Sequence, residues 1–124
     1  MKITIIGTGV YSMAIAMKLA KKDNDIYMWT ESIDIENEYK KNHTVKKITD
    51  KRMPSNIHIS SSYEDTLYNT DLIFIITSAK YVRSVCNNIL PYYKGIPICI
   101  ASKGIENETC SLLSNIVKKV LHTK

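Results

Sequence analysis

The residues best placed to do chemistry form a glycine-containing turn near the start of the chain. The segment Gly7-Thr8-Gly9-Val10-Tyr11-Ser12 separates a short β-branched run from a stretch with apolar residues at helical spacing. Gly7 permits a tight turn, and Gly9 has no Cβ to hold a ligand away from the backbone. A helix that begins here directs unpaired N–H groups and the positive end of its dipole at an anion. The turn is therefore predicted to hold a diphosphate.

Ser12 stands where the pattern G-x-G-x-x-G has its third glycine. That glycine normally lets the helix pack close to the strand, so serine predicts slightly looser packing without loss of binding. The alternative is that these glycines only serve a turn in some other α/β fold. The surrounding strand and amphipathic helix favour the phosphate-binding interpretation.

An acidic residue follows at the distance that a dinucleotide site requires. Glu31 lies nineteen positions after Ser12, just past the second predicted strand. A carboxylate there can accept hydrogen bonds from the ribose hydroxyls of adenosine and would repel a 2′-phosphate, and no arginine lies beside it. We therefore predict NAD as the cofactor in preference to NADP. Glu31 or Ser32 could instead cap the next helix, and both roles are compatible.

Hydrophobic periodicity predicts strands and helices in strict alternation, without repeats or low-complexity segments. Such alternation builds an α/β fold with a doubly wound parallel sheet, and right-handed crossovers give a Rossmann domain of five strands in the order 3-2-1-4-5. The length allows one domain, residues 1–124, and no separate substrate domain. The predicted strands are 2–6, 25–29, 57–60, 71–76 and 96–101, and the predicted helices are 13–21, 32–41, 63–68, 82–90 and 106–121.

Composition excludes several other classes of protein. The net charge of +5 comes mainly from residues 40–52 and from the last seven residues, without the interleaved aromatic residues that stack on nucleic-acid bases. We therefore expect no nucleic-acid partner, although the charge can steer a phosphorylated ligand. The longest apolar run is too short to insert into a membrane, and no secretory signal is evident, so a cytoplasmic location is the default. Three scattered cysteines and three scattered histidines predict neither a disulfide framework nor a metal site.

Three segments narrow the assignment beyond a dinucleotide-binding domain. These segments are residues 7–16 followed by Trp29, the segment Met53-Pro54-Ser55-Asn56-Ile57, and residues 101–109 after the fifth strand. Together they are similar to bacterial-type NAD(P)-dependent glycerol-3-phosphate dehydrogenase. The resemblance covers essentially the whole chain, but only the first part of the family's length. The segment Ser102-Lys103-Gly104-Ile105-Glu106 is its most specific element, because a related dehydrogenase such as ketopantoate reductase would not predict it.

The resemblance implies roles for individual residues. Val10 and Tyr11 would lie against the cofactor pyrophosphate through the loop backbone, and Ser78 would lie near the nicotinamide ribose. Lys103 would contact both the nicotinamide and the substrate, which agrees with the position of a lysine at the carboxyl end of a strand; a solvated loop lysine is the alternative. The sequence departs from the family at Glu31, where a basic residue or histidine is frequent, at Thr77 in place of proline, and at Val10 in place of serine.

The implied reaction passes hydride between nicotinamide and carbon 2 of dihydroxyacetone phosphate or sn-glycerol 3-phosphate, a precursor of phospholipids. The family's general acid/base lysine and most of its phosphate ligands belong to a helical C-terminal domain, so we expect no catalytic residue within this chain and no turnover by it alone. That absent domain is the expected packing partner of the last helix. The sequence does not decide between a monomer and a homodimer. The remaining alternative is a stand-alone NAD-binding or sensing module without catalysis.

Overall fold

The computed structural model describes residues 1–7, 10–42, 53–77 and 81–100. Its strands form one parallel sheet in the order β3-β2-β1-β4-β5, which confirms the predicted doubly wound topology. The elements run β1 (Lys2–Ile6), α1 (Val10–Ala20), β2 (Asp25–Trp29), α2 (Ile33–Asn42), β3 (Ile57–Ser60), α3 (Tyr63–Leu67), β4 (Leu72–Ile75), α4 (Val82–Ile89), a 3₁₀ turn (Leu90–Tyr92) and β5 (Ile98–Ile100).

Both faces of the sheet are covered, as its apolar strands require. One face packs against α1 and α2 around Ile5, Ile26 and Met28, and the other packs against α3 and α4 around Ile73, Ile75 and Cys86. Each of these side chains is fully buried. The strand β1 lies at the centre of the sheet, between β2 and β4. The chain therefore reverses its direction of growth across the sheet between β3 and β4, and ligands bind at such a reversal.

The ends of several elements differ from the prediction. The helix α1 begins at Val10, whereas the spacing of apolar residues predicts that it begins at residue 13. The helix α4 ends at Ile89, and Pro91 lies within the following 3₁₀ turn, where its missing N–H costs nothing. The strands β4 and β5 are shorter than predicted. The predicted last helix, residues 106–121, lies outside the described residues.

Among the residues that the structure describes, no helix is both long and apolar enough to cross a membrane.

Gly7 is the position at which three strands of the sheet meet. Its N–H donates to the carbonyl oxygen of Trp29 at 3.0 Å, and the N–H of Ile76 donates to the carbonyl of Ile6 at 3.0 Å. The φ angle of Gly7 is +132°, and a Cβ built there would overlap the carbonyl oxygen of Ile76. Only glycine fits this close approach of the ends of β1 and β4.

We expect Gly7→Ala to lower the free energy of unfolding by about 2 to 4 kcal/mol, because the new Cβ adds a steric overlap to an unfavourable φ. Urea denaturation measures the change. Gly95→Ala is the matched control, since Gly95 also has a positive φ of +77° but a Cβ there meets nothing within 4 Å. It should cost only about 1 kcal/mol. Equal losses at the two positions would contradict a collision at Gly7.

Candidate functional site

A cavity of about 330 Å³ opens at the carboxyl edge of the sheet, where the strand order reverses. Its base is formed by the residues that end or follow three strands, which are Gly7 after β1, Trp29 to Glu31 at the end of β2, and Ile76 and Thr77 after β4. Its remaining wall comes from Tyr63 of α3 and from the segment 81–88 at α4. Parallel sheets bind ligands at this edge and at this point of the topology.

One side of the cavity is a flat aromatic surface. The rings of Trp29 and Tyr63 are stacked, with their centroids 4.2 Å apart and their planes 11° from parallel. The indole Nε1–H of Trp29 donates to the carbonyl oxygen of Ser61 at 3.0 Å. This hydrogen bond prevents the indole from rotating freely, and the stacking restrains Tyr63 in turn. The two rings are therefore held in place where they line the cavity.

Ser61 is itself held by a carboxylate from the neighbouring helix. Glu36 on α2 accepts hydrogen bonds from the backbone N–H of Ser61 at 2.7 Å and from its hydroxyl at 3.2 Å, and Lys40 Nζ lies 3.7 Å away. Burial raises the pKa of Glu36, but the Ser61 hydrogen bonds and the Lys40 charge outweigh it and leave the pKa below its usual value. Glu36 thus positions the aromatic surface through Ser61.

The carboxylate predicted to contact ribose lies at the mouth of this cavity. Glu31 is exposed and lines the cavity with Gly7 and Trp29, and none of the described residues donates a hydrogen bond to it. Ser32 caps α2 instead, because its hydroxyl accepts from the N–H of Ile35 at 3.3 Å. Ser32, and not Glu31, is therefore the residue that caps α2. The carboxylate oxygens of Glu31 stay available to a ligand.

The other predicted site residues divide into two groups. Tyr11 lies in the first turn of α1 with 61% of its surface exposed, and Val10 starts that helix. Ser12 is buried, and its hydroxyl donates to the carbonyl of Ile76 at 3.4 Å, so its side chain contributes packing at the end of β4. The second group, Gly9, Ser78 and Lys103, lies outside the described residues, and their roles stay predictions.

Two residues that sequence reasoning missed also line the cavity, Tyr63 and Asn88. The hydroxyl of Tyr63 is buried and has no hydrogen-bond partner among the described residues. Burial raises the pKa of this hydroxyl and the charge of Glu31 raises it further, while the nearby Asn88 side chain lowers it. Neither residue belongs to the glycine motif, and α3 and α4 bring them to the cavity only by packing on the sheet.

The chemistry of these groups fits a dinucleotide. An acceptor-only carboxylate suits the two hydroxyls of a ribose, a flat aromatic surface suits a base, and a helix N-terminus after glycine suits a diphosphate. The hydroxyl of Tyr63, which is buried and has no hydrogen-bond partner within the described segments, is a further polar group at the cavity. No three His, Cys, Asp or Glu side chains of the described segments are grouped as metal ligands. Fold and site together define a dinucleotide-binding Rossmann domain.

Comparison with known proteins gives the particular family. The sequence profile described as NAD-dependent glycerol-3-phosphate dehydrogenase N-terminus matches residues 2–124, so the chain belongs to this family. It is 33% identical over 121 residues to glycerol-3-phosphate dehydrogenase [NAD(P)+] of Mesoplasma florum, covering 94% of this chain and 36% of that protein. The enzyme of the same name from Wolbachia pipientis is 30% identical, with 98% and 37% coverage. The chain thus spans little more than a third of the length of these relatives.

Solved structures agree on the fold. The glycerol-3-phosphate dehydrogenase of Coxiella burnetii superposes with a TM-score of 0.89 at 20% identity, over 97% of this chain and 37% of that one. The enzyme of Saccharomyces cerevisiae gives 0.83 at 19% identity, over 99% and 40%. The predicted family resemblance is confirmed, and the alternative of a different dehydrogenase family such as ketopantoate reductase is set aside.

Removing the carboxylate that holds Ser61 should reveal its effect in the pH dependence of stability. We expect Glu36→Ala to lower the free energy of unfolding at pH 7 by about 1 to 2 kcal/mol, since charged hydrogen bonds to Ser61 are lost. Because the pKa of Glu36 is lowered on folding, its contribution is present above about pH 4.5 and disappears as the pH falls through the folded pKa. Denaturant titrations between pH 3 and pH 7 measure this.

The exposed neighbour Asn37 on the same helix provides the control. Asn37→Ala should change stability by no more than about 0.5 kcal/mol at any of these pH values. If the stability difference between Glu36→Ala and the wild type stayed constant down to pH 3, the carboxylate would not be acting through its charge.

Proposed function

We propose that this domain binds NAD with the adenosine in the cavity at the carboxyl edge and the diphosphate at the turn after Gly7. The observation that carries the proposal is the position of Glu31, whose carboxylate lies in one cavity with Gly7 and with the stacked Trp29 and Tyr63. Base and ribose thereby have chemically matched groups in one cavity, and Gly7, which precedes the turn proposed to hold the phosphates, lines the same cavity.

Glu31 also supports a preference for NAD over NADP. A 2′-phosphate would be placed against a carboxylate, and two like charges at close range disfavour binding. The relatives are named for NAD(P)+, so the preference proposed for this chain rests on its own residue at position 31.

The reaction proposed for the whole protein is the interconversion of dihydroxyacetone phosphate and sn-glycerol 3-phosphate in the cytoplasm. The nicotinamide of bound NAD supplies the hydride chemistry. The residues of this chain bind and orient the cofactor, and Lys103 would approach the phosphorylated substrate. We assign the general acid or base to a helical C-terminal domain, which would also be the packing partner of this one, with homodimer formation left to measurement.

Cofactor binding can be followed directly, because Trp29 is the only tryptophan of the chain and lines the cavity. Titration with NADH should quench the fluorescence of Trp29 in a saturable manner. Dihydroxyacetone phosphate should then support NADH oxidation by the full-length gene product. Binding without oxidation would favour an NAD-binding module, and a lack of binding would refute the proposed site.

Replacing Glu31 by arginine tests the cofactor preference. We expect Glu31→Arg to shift the ratio of NADPH to NADH affinity by about tenfold or more towards NADPH, since repulsion becomes attraction, and tenfold corresponds to about 1.4 kcal/mol. The change is measured by parallel titrations with the two cofactors.

Asp34→Arg makes the same change of charge on an exposed residue of α2 that does not line the cavity. It should shift the ratio by less than about threefold, because an exposed charge at a distance is screened by salt. If both arginine variants acted alike, a general charge effect would replace the proposed contact at ribose.

A further inference from the structure

One buried hydroxyl connects the first turn of α1 with the carboxyl end of β4. Ser12 is only 1% exposed, and its hydroxyl donates to the carbonyl oxygen of Ile76 at 3.4 Å. The N–H of Ile76 donates in turn to the carbonyl oxygen of Ile6 at 3.0 Å. Ile76 is therefore held by β1 through its N–H and by α1 through its carbonyl oxygen.

The carbonyl of Ile76 also sets the direction in which the chain leaves β4. A Cβ built on Gly7 would overlap this oxygen and would lie 3.1 Å from the Ser12 hydroxyl, so all three groups meet at one point. The peptide bond from Ile76 to Thr77 is planar and trans, so a fixed carbonyl also fixes the plane of this peptide and turns the Thr77 N–H away from α1. The Ser12 hydroxyl thereby helps to fix the start of the segment that follows β4.

The proposed position of the cofactor places this strand end on its path. The adenosine is proposed at the end of β2 and the diphosphate at the turn after β1, and β4 is the next strand in the sheet. A dinucleotide lies across the crevice of such a sheet, so its second nucleoside passes the end of β4. Ile76 and Thr77 line the cavity at this end. The Ser12 hydroxyl thus joins the helix proposed to bind the diphosphate to the strand end beside the nicotinamide half.

We propose that Ser12 is a positioning residue for the nicotinamide half of the cofactor. The inference rests on the proposed binding of NAD. Because the side chain is buried and its hydroxyl is bonded to Ile76, it acts through the end of β4 and not by contact with the ligand. The glycine that the pattern G-x-G-x-x-G has at this position would let the helix approach the sheet but would give the Ile76 carbonyl no donor. Serine therefore adds a contact that the usual residue cannot make.

The experiment compares NADH with ADP, which contains the adenosine and the diphosphate but lacks the nicotinamide nucleoside. Quenching of Trp29 fluorescence measures the affinity for NADH, and displacement of NADH measures the affinity for ADP. The wild-type chain should bind NADH more tightly than ADP. Ser12→Ala should weaken NADH binding about fivefold, the effect of one neutral hydrogen bond, and should change ADP binding by less than about twofold.

Ser12→Thr tests whether the hydroxyl is the acting group, because it keeps the donor. It should bind NADH within about twofold of the wild type. If Ser12→Thr were as stable as the wild type but bound the two ligands as Ser12→Ala does, the hydrogen bond to Ile76 would not be the cause of the effect.

Ser32→Ala is the matched control for a serine with a purely structural role. The Ser32 hydroxyl makes a hydrogen bond of similar length, 3.3 Å to the N–H of Ile35, but it caps α2 and does not line the cavity. This variant should have a lower melting temperature and an unchanged ratio of NADH to ADP affinity. The same pattern in Ser12→Ala, a lower melting temperature with an unchanged ratio, would overturn the positioning role of Ser12.

The outcomes distinguish this inference from the proposed function. If the wild type bound neither NADH nor ADP, the proposed function and the inference would both be refuted. If it bound NADH no more tightly than ADP, or if Ser12→Ala weakened the binding of both ligands equally, the positioning role would be refuted while NAD binding would stand.

Discussion

The lack of space for a Cβ at Gly7 is the constraint on which the site depends. At this residue β1 ends between β2 and β4, and the carbonyl oxygen of Ile76 occupies the volume that a side chain would need. The N–H of Gly7 continues the hydrogen bonding of β1 with β2 by one residue, and the N–H of Ile76 does the same for β4 with β1. Because the three strand ends are held together, Gly7, Glu31 and Thr77 lie around one cavity and not along an open edge.

The second support of the site is a series of polar contacts that ends on an aromatic ring. Glu36 holds Ser61, Ser61 holds the indole of Trp29, and Trp29 stacks on Tyr63. Each contact joins a different element, so α2, β2 and α3 are fixed relative to one another where they meet the cavity. Rigid surfaces of this kind lose little conformational entropy when a planar ligand binds, which is the advantage of preorganisation. Tyr63, at the end of this series, has a buried hydroxyl without a hydrogen-bond partner among the described residues.

The charge at the cavity is opposite in sign to the net charge of the chain. The chain has a net charge of +5, yet the described cavity contains a carboxylate and none of the lysines or arginines. Positive charge elsewhere on the molecule can attract an anionic ligand over distance, whereas the carboxylate of Glu31 acts only on groups that come close to the mouth of the cavity. The long-range attraction of anions and the local negative charge at the cavity therefore come from different residues.

What the sequence alone determined was topology, because it depends on the order and periodicity of apolar segments. The alternation of runs such as 2–6 and 25–29 with amphipathic stretches was enough to give the strand order. The spacing of Gly7 and Glu31 predicts a shared role in binding a dinucleotide, and that role stays a prediction. Helix ends were less well predicted: α1 starts at Val10, three residues before the position that the spacing of apolar residues predicts.

Only the tertiary structure decided which residues from separate elements meet. Tyr63 and Asn88 are 25 residues apart in the sequence and belong to no motif, and they share a cavity because α3 and α4 pack on the same face of the sheet. The same holds for Ser12: its substitution for glycine predicts looser packing, and the fold directs its hydroxyl to the carbonyl oxygen of Ile76. Side-chain proximity across elements depends on packing distances, and local sequence patterns do not encode those distances.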